Sequence, residues 1–247
     1  MATTEQYPVW VTRQRDLRIE PGTLDIWFFS LDAEPEKILS LSNSLSPDER
    51  LRAGRFATNE LSVSFILCRG TLRFILAHYL SAHPGAIAFG YNAWGKPGIC
   101  APADTGIGFN LSHSGETAMV AVTRGDSPGA DIERMSCEVC CEEIARREFT
   151  RHEQALFFGA APESKQRLFF TFWTRKEAVL KGIGEGLSIE LSRVDVSDID
   201  SKPVFFEGGQ DGGDGWRVMD IPVMPGYAGA CAYRNEIRML RYFDADE

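Results

Sequence analysis

The sequence predicts an α+β protein made of two similar halves, and three observations carry that prediction. Arg55-Phe56-Ala57-Thr58-Asn59-Glu60 matches Glu148-Phe149-Thr150-Arg151-His152-Glu153: both place F-x-x-x-E after a basic, helix-like segment. Farther along, the run Gly115-Glu116-Thr117-Ala118-Met119-Val120-Ala121-Val122 matches Gly226-Tyr227-Ala228-Gly229-Ala230-Cys231-Ala232-Tyr233. Two matches in the same order suggest an internal duplication. Its boundary falls near 124–129, giving an N-terminal half (1–125) and a C-terminal half (126–247). The third observation is that helical and strand-like patterns recur within each half, as a helix packed on a small, mainly antiparallel sheet requires. A cleft between two such halves is a natural ligand site.

Residues 1–45 hold one strand candidate, 24–30, in an otherwise irregular lead. Ser46-Pro47-Asp48-Glu49 opens a helix, with serine at the cap, proline in the first turn and acids at the positive end. A longer helix is expected over 60–80, with Leu61, Phe65, Leu72, Ile75, Leu76 and Tyr79 along one side. Residues 81–106 are rich in Gly and Pro and read as loop with short extended pieces. Residues 108–113 and 117–123 read as two strands around a Ser114-Gly115 turn, and 130–133 is extended after the turn at 124–129. Glu207 to Trp216 is glycine-rich but lacks the lysine and helix of a phosphate loop, so it reads as a hairpin turn.

Composition narrows the classes. The 247 residues are 44% hydrophobic, enough for one large or two small domains, and the net charge of −9 argues against nucleic acid as a partner. The N-terminus lacks a signal-peptide core, and no run approaches the roughly 20 apolar residues that span a bilayer. A cytoplasmic protein with no membrane partner is expected. The six cysteines, including the C-x-x-C of Cys137 and Cys140, lack the second ligand pair of a zinc site and read as reduced thiols.

The chemistry lies in two segments. In Gly129-Ala130-Asp131-Ile132-Glu133 the two acids are two apart on a strand, so both leave one face while Ala130 and Ile132 anchor the other. In Trp173-Thr174-Arg175-Lys176-Glu177-Ala178-Val179-Leu180-Lys181, Glu177 and Lys181 share a helix face. Either feature alone fits a solvated strand or an exposed ion pair. The apolar flanks around Glu177 imply burial, and buried charges need partners such as a metal or a phosphate. Three carboxylates suit a hard divalent cation such as Mg²⁺, with a lysine beside it for phosphate. His113, between Ser112 and Ser114 at a strand end, adds hydroxyl, imidazole and backbone donors. Lys96 sits in the short turn Trp94-Gly95-Lys96-Pro97. These parts suit phosphoryl-group chemistry. A metal-dependent nucleotide phosphohydrolase uses the same acids, a binding module would not need Glu177, and a glycosidase would leave the positive groups without a role.

The ordered set Gly95-Lys96-Pro97, Phe109-Asn110-Leu111-Ser112-His113-Ser114-Gly115, Gly129 to Glu133 and Trp173 to Lys181 resembles the Sfp-type 4′-phosphopantetheinyl transferases, in the W-x-x-K-E-A form of the larger, pseudo-dimeric branch. The resemblance runs from about residue 46 to the end. It implies two α+β halves related by a pseudo-twofold axis, with coenzyme A between them. It also implies transfer of phosphopantetheine from coenzyme A to a serine of an apo acyl or peptidyl carrier protein, leaving adenosine 3′,5′-bisphosphate. By the same resemblance Asp131, Glu133 and Glu177 hold Mg²⁺, and Glu177 takes the serine proton directly or through water. Lys181 stabilises the attacked phosphate with His113 in the catalytic set. Arg52, Lys96, Pro97, Ser112 and His113 hold the nucleotide end.

The chain departs from the family where Glu49 replaces a frequent lysine and Ala130 a larger aliphatic residue. A carrier patch is expected around 184–191 with Leu187 and Ile189, and the duplication favours a monomer.

Overall fold

The run Thr23–Ser30 (β1) is buried along nearly its whole length, because it is covered on both sides. In the computed structural model, which describes residues 17–136, 139–186, 189–198, 204–206 and 215–246, β1 lies inside a four-stranded sheet. The order is Met239–Asp244 (β11), β1, Thr117–Arg124 (β5) and Ile107–Ser114 (β4). β1 is parallel to β11; the other pairs are antiparallel. A second, antiparallel sheet runs Gly129–Arg134 (β6), Tyr227–Tyr233 (β10) and Arg217–Asp220 (β9). Two short ribbons complete the strands: Ala88–Tyr91 (β2) with Pro97–Ala101 (β3), and Val194–Asp195 (β7) with Phe205–Phe206 (β8).

Six helices accompany them among the described residues: Pro35–Ser44 (α1), Pro47–Ala53 (α2), Asn59–Leu80 (α3), Cys141–Glu148 (α4), Arg151–Gly159 (α5) and Pro162–Ile183 (α6). The α+β class expected from the sequence is the one observed.

Three cores separate four layers. Trp27, Phe29, Phe109, Val120 and Val122 meet Leu72, Ile75 and Leu76 of α3 on the outer side of the first sheet. Leu24, Ile26, Phe28, Met119 and Ala121 meet Ala130, Ile132 and Cys231 between the two sheets. Ala230, Ala232 and Val218 on the other side of the second sheet meet Phe169, Phe172, Ala178 and Val179 of the α6 layer. Helix, sheet, sheet and helix therefore stack in that order, and strand alternation assigns each side chain to its core. Gly115 and Gly226, which open the two matched segments, both sit at positive φ in the turns leading into β5 and β10. Those turns demand a left-handed backbone that glycine supplies without strain.

Three expectations change. The lead before residue 46 contains α1, whose Pro35 sits in the first turn and whose Leu41 is buried, as is Leu45 just past its end; the spacing Ile38, Leu41, Leu45 was its signal. Leu41 packs on α3 at Gly70, where an added Cβ would lie 2.6 Å from the Leu41 Cβ. β11, from the end of the chain, completes the sheet of the first half, held by a bidentate pair of Arg241 with buried Asp25. By length and composition α3 is apolar enough to cross a membrane. Its Leu67, Leu72, Ile75 and Leu76 are instead buried inside the protein. The glycine-rich stretch at 207–214, Cys137 of the C-x-x-C, and Leu187 lie outside the described residues.

Candidate active site

The site forms where β6 crosses α6, and two glycines set the distance. A Cβ on Gly129 would lie 1.8 Å from the Ala178 carbonyl oxygen, and one on Gly182 2.4 Å from the Trp216 ring. Only glycine lets the strand approach the helix backbone this closely. Asp131, two residues along β6, therefore faces Lys181 of α6. The Lys181 ammonium donates to Asp131 Oδ1 and also, at 2.9 Å, to Ser112 Oγ. Ser112 in turn donates to the same Asp131 oxygen at 2.9 Å. Asp131 is 1% exposed, and its second oxygen, Oδ2, is buried without a hydrogen-bond partner among the described residues.

β4 supplies a seam between the sheets. It is the edge strand of the first sheet, as β6 is of the second, and no main-chain ladder joins them. Alternate β4 side chains bridge the gap instead. Asn110 Oδ1 accepts from the Ala130 N–H at 2.9 Å, Ser112 reaches Asp131, and Ser114 Oγ donates to Glu133 Oε2 at 2.6 Å. The pleat sends His113 to the other side of β4 from these three. His113 is exposed. Neighbouring atoms that partly desolvate its ring, and next the Lys181 charge, hold its pKa below the usual value.

Glu177 is half-buried on α6. Burial raises its carboxyl above the usual carboxylate range, and the Asp131 charge raises it further, against a smaller opposing effect of Lys181. Glu133 is raised by burial too; its bond from Ser114 opposes this and the Asp131 charge adds to it. The three acids thus come within electrostatic reach of one another. Among the described residues, however, no three His, Cys, Asp or Glu side chains form a ready cage for a metal ion. Lys181 has taken one oxygen of Asp131 and Ser114 one of Glu133. The i, i+4 pairing of Glu177 with Lys181 is likewise forgone, because the ammonium turns to Asp131.

The remaining sequence candidates are placed as follows. Lys96 donates to the carbonyls of Gly182 at 2.8 Å and Pro128 at 3.3 Å, at the C-terminal end of α6. That end carries partial negative charge, which suits a cation. Burial nevertheless lowers the Lys96 pKa to about 8. Lys96 and Pro97 line a groove of about 580 Å³ with Ser127, Gly182 and Arg234. Arg52 is exposed on α2, its guanidinium 5.2 Å from the Phe65 ring centre. Among the described residues, none of its contacts joins it to the Asp131 cluster.

Some motif residues turn out to be structural. Lys176 and Glu153 are a fully buried ion pair 2.7 Å apart. Lys176 also donates to the carbonyls of Leu191 and Val194, while Glu153 accepts from the Thr150 and Val196 N–H groups. Arg175 clamps Asp220 through two 2.7 Å bonds. Glu49, expected as a loss to nucleotide binding, is 3% exposed, reaches back to the Ser46 N–H and pairs with Arg73 at 2.8 Å. Ile189 of the expected carrier patch packs against the core under α6.

Comparison with known proteins identifies the family. Residues 127–232, which carry Asp131, Glu133, Glu177 and Lys181, match the sequence model of the 4′-phosphopantetheinyl transferase superfamily. The chain is 34% identical to 4′-phosphopantetheinyl transferase HetI of Nostoc sp. over 195 residues, 78% of this chain and 82% of the relative. It is 28% identical over 163 residues to 4′-phosphopantetheinyl transferase Sfp of Bacillus subtilis, covering 66% of this chain and 69% of that one. The enzyme gsp of Aneurinibacillus migulanus is 27% identical over 191 residues, 77% of each chain.

Proposed function

The chain belongs to the 4′-phosphopantetheinyl transferase superfamily, and from that premise we propose that it moves the phosphopantetheine arm of coenzyme A to a serine of an apo acyl or peptidyl carrier protein. In this reaction the serine oxygen forms a bond to the phosphorus nearer the pantetheine. The bond from that phosphorus to the bridging oxygen breaks, and adenosine 3′,5′-bisphosphate leaves. The proton of the hydroxyl passes to Glu177, directly or through one water.

One observation carries the reading: the buried, unpartnered Oδ2 of Asp131 beside two carboxylates that their surroundings have raised in pKa. Three carboxylates here face a single ammonium, that of Lys181, so the cluster is short of positive charge. Oxygen donors of this type fit Mg²⁺, with Asp131, Glu133 and Glu177 as the residues that would hold it. When bound, Mg²⁺ would neutralise charge on the pyrophosphate and on the leaving group.

The protein's own groups account for the rest. Lys181 is 32% exposed, so its ammonium can meet a phosphate oxygen while still anchored by Asp131 and Ser112. Glu177 accepts no hydrogen bond among the described residues, and its raised pKa brings it nearer the operating pH of a general base. Lys96, Pro97 and His113 are assigned to the nucleotide end, together with Ser112. Arg52 joins them in this reading only through ligand reach across the α2 surface. The two halves, a pseudo-dimeric arrangement divided near residue 125, and a cytoplasmic monomer belong to the same proposal. Support for the two halves comes from the two sheets facing each other within one chain.

The test is to incubate the purified protein with coenzyme A, Mg²⁺ and an apo carrier domain and to measure the carrier's intact mass. A gain of one phosphopantetheine arm, abolished by EDTA, is expected. Phosphate release from coenzyme A with no carrier gain would replace this reading with a phosphohydrolase.

A further inference from the structure

The family resemblance gives Ser114 no role, and the hydroxyl that the sequence offered as a phosphate donor is committed on both sides. Its oxygen accepts the Arg134 N–H at 3.1 Å. Its single proton is donated to Glu133 Oε2 at 2.6 Å. A serine hydroxyl has one proton and two lone pairs, so the backbone bond fixes where the oxygen sits and the proton has one destination. Ser112 repeats the arrangement two residues earlier, with its proton on Asp131 Oδ1. In each acid one oxygen is bound to a β4 serine. The other, Asp131 Oδ2 or Glu133 Oε1, has no hydrogen-bond partner among the described residues.

We infer that Ser114 is a positioning residue that orients the Glu133 carboxylate, tying Oε2 and leaving Oε1 for the divalent cation that Glu133 would hold together with Asp131. The inference rests on the Mg²⁺ reading above and adds to it the means by which β4 aims the acids of β6. Three features favour orientation over mere seam-building. The bond runs to a side-chain oxygen as well as to the backbone. Ser114 sits on the strand position whose pleat already points at β6. Asn110, the third seam residue, bonds only the backbone of Ala130 and so fastens the strands without touching an acid. A rotatable carboxylate loses entropy on coordination, and a partner that has already fixed its rotamer removes part of that loss.

The experiment compares wild type, Ser114→Ala and Ser114→Thr. Thermal shift is measured on Mg²⁺ addition with coenzyme A present throughout, and kcat and the KM for Mg²⁺ are measured in carrier modification. Partners that orient metal ligands typically change affinity by about 10–100-fold. Ser114→Ala is expected to raise the KM for Mg²⁺ at least about tenfold, with kcat at saturating Mg²⁺ within about twofold of wild type. Its Mg²⁺-induced thermal shift should shrink, while threonine, which keeps the hydroxyl, restores both. If wild type responds to Mg²⁺ and Ser114→Ala responds at the same concentrations, or if threonine restores nothing, the positioning role is wrong and the metal reading stands. If wild type itself shows no Mg²⁺ response in either measurement, the metal reading fails and the inference falls with it.

Discussion

Lys181 of α6 and Asp131 of β6 share Ser112 of β4, so a single ammonium ties three elements, from both sheets and the outer helix, into one point. The lysine stands where positive charge is needed to offset a buried carboxylate that keeps one oxygen free. Asp131→Asn keeps the shape and removes the charge. Phosphopantetheine transfer is expected to fall at least about 100-fold, the scale at which a single electrostatic partner in a site acts. The far-ultraviolet circular dichroism should be unchanged. Transfer at the wild-type rate would remove Asp131 from the site.

Glu177 makes an opposite trade between stability and activity. Its pKa is raised in the folded protein, so folding takes up a proton in the window between the ordinary glutamate value and the raised one. The stability this gives is complete below that window and is lost as pH rises through it, which leaves a net penalty at neutral pH. Glu177→Gln should therefore raise the apo-protein Tm at pH 7.5, by about 2–4 °C for each kcal/mol relieved. The gain should shrink toward pH 4, and transfer should be lost. Calorimetry across pH checks the sign; a lower Tm at pH 7.5 would contradict it.

Lys96 is the cationic counterpart. Burial holds its pKa at about 8, so the folded protein gives up this proton more readily than the unfolded chain. Below about pH 8 the charged lysine is a penalty, and stability recovers as pH rises from there toward the ordinary lysine range. An anion in the groove lined by Lys96 and Pro97 would restore the proton. Binding of adenosine 3′,5′-bisphosphate at pH 8.5 should thus take up protons, read as a dependence of the calorimetric heat on buffer ionisation. Lys96→Met should abolish that dependence and weaken binding.

The buried pair of Lys176 and Glu153 predicts a stability effect distinct from the chemistry. Lys176→Met leaves the Glu153 charge buried, and such breaks typically cost about 3–5 kcal/mol. Urea unfolding should show that loss as a lower midpoint at unchanged slope. Glu153→Gln in the same chain should recover only part of it, because Glu153 also serves the N–H groups of Thr150 and Val196. Full additivity of the two losses would show that the residues do not act as a pair.

Much of the site was legible because it rests on periodicity. The two-residue spacing of Asp131 and Glu133 put both on one side of a strand, and the α6 pattern put Glu177 and Lys181 on one side of a helix. Caps were readable as well: Ser46 at the cap, Pro47 in the first turn and the acids after it begin α2 as expected. What failed was the choice of partner. The spacing of Glu177 and Lys181 allows an ion pair, yet Lys181 turns to Asp131, 50 residues away in sequence. Glu49 looked like a lost nucleotide contact and is a buried partner of Arg73. Arg175 and Lys176, in the middle of the motif, are staples to β9 and to the segment around Val194.

By itself the sequence determined the α+β class, most of the element positions and the chemical character of the acids. The tertiary structure decided that β11 joins β1, that alternate residues of β4 fasten β6, and that Asp131 keeps one oxygen without a partner. The reason is physical: periodicity states which face of an element is apolar or charged, but not which other element will cover that face. That choice depends on approach distances, such as those set by Gly129 and Gly182, which exist only once strand and helix have packed.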